Sequence, residues 1–417
     1  LVAAAAAFFH DPESTDYWQR IHRWEAAMAG AYEAFPDDPE VTAFYALAHL
    51  AVAPADDRSV AAHSARAAEL LLSVHRRNPD HPGAMHYLVH AGDAPGRERA
   101  SLDVTEKYER VAPRNPHALH MPTHIHTRLG DWNAVIRGNL LAADAALEHP
   151  AGDRGQYVWD EFPHAVEYVI YAYLQQAADA EASRELERLY ATPRLEPTFK
   201  TAFHLASTRA RYALERRAWP EAAALTLPEV PGLDWGRYPW PTAVNAFANG
   251  LGAAREGRLE DVRVAIDRLA ALAETATRAG EDLFARNIRI LELEVRAWWA
   301  HAAGDTAASL AAIGEAAELE RSTPKAAVTP GPTLPAYELW GDLLLEQGRH
   351  ADALAMYRTS LDLYPKRFNS LLGAARAAAA GGDHATARGF YQELLSIAVG
   401  SGRAAEVDEA RRFVDGR

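Results

Sequence analysis

Apolar residues return every three or four positions along LPAYELWGDLLLEQGRHADALAMYRTSLDLYPKR (334–367), in two stretches parted by Gln-Gly-Arg. That period is the mark of amphipathic helices, and the break between them is too short for anything but a tight turn. The next segment, FNSLLGAARAAAAGGDHATARGFYQELLSIAVGS (368–401), has the same length of 34 residues and repeats the pattern in register. Gly348 and Gly382 fall at the turns, Ala353 and Ala387 one turn into the second helix, and Tyr357 and Tyr391 four residues later. Small residues at a helix crossing, with an aromatic one turn on, are what two packed antiparallel helices need.

Further back the turn recurs as HAAGDTAAS at Gly304, AREGRLEDV at Gly257, LQQAADAEA at Ala178 and TRLGDWNAV at Gly130. With the closing proline Pro365, and Pro79 and Pro113 spaced 34 apart, the pattern matches the tetratricopeptide signature. The predicted fold is all-α, a tetratricopeptide-like α-solenoid of about nine helical hairpins. It is read as one domain over 1–417, with amino-terminal hairpins and histidine-rich repeats in 1–197 and the remaining repeats in 198–417. Three inserts rich in Gly, Pro and aromatics (150–163, 228–241 and 325–335) are expected to be ordered loops. The opening run LVAAAAAFF is too short to span a bilayer and predicts a helix; its first residue, Leu, suggests a start within a longer protein.

Composition narrows the function. A net charge of −14, from 43 basic and 57 acidic residues, with arginines interleaved among acids, argues against a nucleic-acid partner. The compartment is left undecided, with a soluble, cytoplasmic chain and no membrane partner favoured; oligomeric state is left open. The chain has no cysteine, which removes disulfides, thiolate metal sites, Fe–S clusters and cysteine nucleophiles together.

Histidine is where the chain departs from an ordinary helical protein. Of its 18 histidines, seven lie within residues 81–126. In a 34-residue frame, His86, His90 and Asp93 stand at i, i+4 and i+7 of one first helix, spanning an arc of about 60°. His117, His120 and His124 occupy the next first helix over a similar arc. In tetratricopeptide proteins, which this chain resembles, those positions line the concave groove. Pro122 must break or kink its helix, a distortion that a repeat does not need for stability. A third repeat adds His164, with Glu167 and Tyr168 in its first two turns. His81, His126 and His149 fall off that face, and the more scattered histidines read as packing residues.

Imidazoles converging with a carboxylate form transition-metal sites, copper or iron first, with zinc and manganese as alternatives. His86, His90, Asp93, His117, His120, His124 and His164 are the candidate ligands, with Glu167 and Tyr168 as candidate catalytic groups. His86, His90 and one of His120 or His124 are expected to meet at one point. The residue after His86 is Tyr87, so the H-E-x-x-H zinc-protease pattern lacks its general base. No G-x-S-x-G or G-x-x-x-x-G-K-[ST] motif occurs.

Four segments in order, HPGAMHYLVHAGD, HALHMPTHI with GDW, HAVEYVIYAYLQ, and VTPGPTLPAYEL, resemble a bacterial family of uncharacterised tetratricopeptide proteins. The resemblance implies the solenoid and the same histidine set but carries no activity with it. The function expected is a metal-dependent, oxidative enzyme (an oxygenase or oxidase) acting on a small molecule or peptide. Tyr157, Trp159, Trp235, Tyr238 and Trp240 would close its pocket. The alternatives are a zinc-type hydrolase with Glu167 as base, and a non-catalytic scaffold that binds a peptide.

Overall fold

Tight turns between helices are set by single residues in the left-handed region, each followed by the N-cap of the next helix. In the computed structural model, which describes residues 1–11, 16–53, 60–94 and 96–416, Gly130, Gly257, Gly304, Gly348 and Gly382 all have φ between 64° and 82°. Asp131, Asp305 and Asp383 follow three of them and cap the next helix by accepting a backbone N–H. The turn placed at Ala178 by the sequence is held instead by Ala177, at φ 54°, with Ala178 as the N-cap. Arg217 makes the same turn at φ 55°. Neither has a glycine to announce it.

The described residues form two compact units, Leu1–Arg128 and Leu129–Arg417. The sequence frame gives no hint of this division, because its repeat at 116–149 runs straight through it. In the first unit the opening run forms the helix Val2–Phe9, and further helices span Tyr17–Ala34, Pro39–Val52, Val60–Arg77, Pro82–Gly92 and Leu102–Val111. Asp38, His81 and Asn115 cap helices that each begin with a proline, where the missing N–H costs nothing. His81 therefore has a capping role. Leu70, Leu71, Val74, Met85, Leu88 and Val89, on the adjoining helices Val60–Arg77 and Pro82–Gly92, are buried.

The second unit consists of helical hairpins from Trp132–Leu147 to Ala404–Asp415. Among the described residues the only sheet is the two-residue antiparallel ladder Pro150–Ala151 with Tyr157–Val158. Two more inserts are ordered as expected: Trp235 Nε1 donates to the Pro228 carbonyl, and the segment around Thr329–Thr333 is gripped by Arg211. The repeat signature is explained by packing. Tyr357 is fully buried between helices Ala336–Glu346 and Phe368–Ala380, where Gly341 and Gly373 make room for its ring. The early and late hairpins of this unit also touch: Trp132 Nε1 donates to the Lys366 carbonyl, the Phe368 N–H to Gln175 Oε1, and the Gly400 N–H to the Gln176 carbonyl.

No helix among the described residues is long and apolar enough to cross a membrane.

Candidate metal centre

The predicted break at Pro122 is present. One helix ends at His120, the next begins at Pro122, and Met121 joins them. Proline offers no N–H, and the His120 carbonyl is taken by Thr123 Oγ1 at 2.7 Å. The His124 N–H then bonds back only three residues, to the Met121 carbonyl at 3.2 Å. Within this broken helix the His120 and His124 Nε2 atoms come to 2.9 Å of each other, both side chains buried.

On the helix Pro82–Gly92, one turn brings His90 Nε2 to 3.2 Å from His86 Nε2. His117 adds its own Nε2 at 3.1 Å from that of His86. His86, His90 and His117 thus present one nitrogen each to a common point, all three half-buried. Two nitrogens about 2.0–2.1 Å from one ion, subtending roughly 90–110° there, lie about 2.9–3.4 Å apart. The observed separations fall in that range. The third nitrogen beside His86 and His90 is thus that of His117, while His120 and His124 pair with each other. The two groups are neighbours: ring centroids of His90 and His124, and of His117 and His120, are 6.4 Å apart.

Burial sets the charge of this cluster. It lowers the pKa of His86 to about 4 and that of His90 to about 3, with the neighbouring imidazoles pushing the same way. Both rings are neutral at pH 7 and carry a lone pair, the form that binds a metal.

Asp93 lies outside the three-nitrogen group. One carboxylate oxygen accepts from Arg128 Nε, and the other lies 3.0 Å from His124 Nδ1. With the proton on Nδ1, His124 donates to Asp93 and turns an unprotonated Nε2 towards His120. This is the carboxylate–histidine pairing that orients ligands around metals. Asp93 is thus held by Arg128 and His124, and the group that meets at His86 and His90 is completed by His117.

His164, Glu167 and Tyr168 lie in the second unit, on Glu161–Gln175. His164 Nδ1 is 3.0 Å from His204 Nε2, and His204 Nδ1 donates to Glu167. Glu167 also accepts from Ser207 Oγ at 2.6 Å and Arg211 Nε at 2.9 Å, and is fully buried. Burial pushes the Glu167 carboxyl up, but the hydrogen bond and charge of His204, with the Arg211 charge, outweigh it and hold the group below its ordinary value. A carboxylate so stabilised is a weaker base than a free one. Tyr168 is also fully buried, its hydroxyl donating to the Thr329 carbonyl at 3.2 Å. Among the loop aromatics, Trp240 is buried against Phe203 in the second unit, with ring centroids 4.6 Å apart.

The sequence reading overlooked His204, Ser207 and Arg211. They stand at i, i+3 and i+7 of the helix Phe199–Glu215, the same kind of one-sided spacing that singled out the other histidines.

Stacked helical hairpins give the chain an all-α, tetratricopeptide-like α-solenoid fold. The tetratricopeptide repeat family model matches residues 339–402. No curated protein matches the chain. Among solved structures it is similar to an IFIT1 monomeric mutant with Gppp-AAAA, at 10% identity over 100% of this chain and 85% of that one, TM-score 0.38. It is also similar to a chain of the APC/C hetero-tetramer Cut9–Hcn1, at 10% identity over 95% and 94%, TM-score 0.28. A third is the P58(IPK) TPR domain, at 14% identity over 91% and 99%, TM-score 0.26.

Proposed function

We propose that this chain is a tetratricopeptide-type binding scaffold whose first unit holds a transition-metal ion on His86, His90 and His117. The repeat architecture and the family match support the scaffold, since stacked hairpins present extended surfaces to partners such as peptides. The observation that carries the metal site is the convergence of three Nε2 atoms, with 3.2 and 3.1 Å between neighbours. An all-imidazole donor set suits copper or zinc, and iron is less favoured once Asp93 is engaged by Arg128.

One observation favours a metal-dependent enzyme as a second reading. The three histidines are only half-buried, so one face of the proposed ion would be open to a small ligand. The hydrolytic version is weakened by the lowered basicity of Glu167.

Metal content tests the proposal. Tag-free protein should retain or take up about one equivalent of Cu²⁺ or Zn²⁺, with a chelator-sensitive rise in Tm. His86→Ala, which removes the nitrogen nearest both others, should weaken binding at least tenfold and leave helicity intact. Wild-type protein that neither binds these ions nor changes Tm with chelator would overturn the metal site.

A further inference from the structure

The second unit contains a cavity of about 70 Å³ that the histidines do not reach. Phe203, Trp240, Glu294, Glu320, Lys325 and residues between Thr329 and Leu334 line it. That segment is fixed from behind. Arg211, itself fully buried, donates to the Pro332 carbonyl at 2.8 Å and to Thr329 Oγ1 at 2.9 Å. The cavity is therefore a built feature, framed by the VTPGPTLP segment.

Glu294 is the anomaly. It is fully buried, and neither carboxylate oxygen has a hydrogen-bond partner. A buried acid in that condition destabilises its own fold unless it is neutral or meets a donor. Burial first, and then the nearby Glu320, push its carboxyl well above the ordinary value. Glu320 accepts from the Ala336 N–H at 3.2 Å and from the Tyr364 hydroxyl at 3.4 Å, so its acceptor capacity is only partly used. Two acids over aromatic walls favour a compact organic cation, which gains from the carboxylates and from the faces of Trp240 and Phe203. A hard divalent metal ion is disfavoured, because it needs six or more oxygen ligands and Lys325 also lines this cavity.

We propose that this cavity binds a primary alkylammonium group, its N–H donors taken by Glu294 and Glu320 and its carbon chain lying against Phe203 and Trp240. The group belongs either to a free amine or to a lysine side chain of a bound polypeptide. This site is independent of the metal proposed for the first unit.

Titration calorimetry and thermal shift on the full chain at pH 7 test it. The probes are n-butylammonium, 1,5-diaminopentane and a lysine blocked at both backbone ends, with n-butanol as the neutral control. At least one amine should bind saturably, raise Tm and release a proton as the cavity acids ionise, while butanol should do none of these. Tighter binding of the simple amines identifies a free-amine site, and tighter binding of the blocked lysine identifies a peptide site. Glu294→Gln removes the buried acid at constant shape. It should keep or raise Tm in the absence of amine and weaken amine binding at least tenfold. No saturable amine binding, equal response to butanol, or unchanged affinity in Glu294→Gln overturns the proposal. So does amine binding that appears only in Lys325→Met, because the chain's own lysine would then be the occupant.

Discussion

Replacing Glu320 by Gln should raise the stability of the second unit at pH 8 and lower it slightly at pH 4.5. Glu320 lines the cavity, and burial raises its carboxyl pKa from 4.5 to about 7. An acid raised in the folded state contributes fully while it is protonated in both states, below about pH 4.5. As pH climbs from there to 7 the unfolded chain ionises first, and stability falls. Above 7 both states are ionised and the whole cost is present. A shift of about 2.5 units at 1.36 kcal/mol per unit corresponds to about 3 kcal/mol. Gln carries no charge, so it escapes that cost. It loses part of the acceptor capacity used by the Ala336 N–H and the Tyr364 hydroxyl, about 1 kcal/mol. The net expectation is a gain of about 2 kcal/mol at pH 8 and a loss of about 1 kcal/mol at pH 4.5. Urea unfolding of both proteins at pH 4.5, 6 and 8 measures this difference, and the two stability curves should cross. A mutant-to-wild-type difference that is the same at all three values would refute the burial argument.

Gly373→Ala should cost about 1–3 kcal/mol, because its Cβ would lie 2.3 Å from Tyr357 Cζ. Gly389→Ala, where a Cβ meets nothing within 4 Å, should raise stability by up to about 1 kcal/mol; thermal unfolding distinguishes the two. Pro122→Ala should let the helix run on through Met121 and raise Tm, while shifting His124 from its position 2.9 Å from His120. Thermal unfolding checks the gain, and a fall in Tm would mean that the break serves packing.

What could be read from the sequence was local. Gly348 and Gly382 lie in the turns they mark, and the i, i+4 spacing of His86 and His90 put their nitrogens together. His117 came from the next repeat through the 34-residue frame. The reading missed contacts where partners are distant and turns where a residue breaks its own preference. The contact of Asp93 with Arg128, 35 residues on, could not be seen in the local pattern. The same holds for the contact of Glu167 with Arg211, 44 residues away. Ala177 and Arg217 adopt a conformation that costs L-residues energy, so composition predicts glycine at such turns and misses these two.

The bonds joining the early and late hairpins of the second unit bear on how it comes apart. In an open repeat array each hairpin touches only its neighbours, so the ends fray first and melting proceeds as a nearest-neighbour chain. Here the link from Trp132 to Lys366 spans 234 residues, and that from Gly400 reaches back to Gln176. With its early and late hairpins joined, this unit has no free terminal repeat at these positions from which fraying can begin. Its amides in Trp132–Leu147 should exchange with solvent about as slowly as those in mid-chain helices such as Pro239–Arg255.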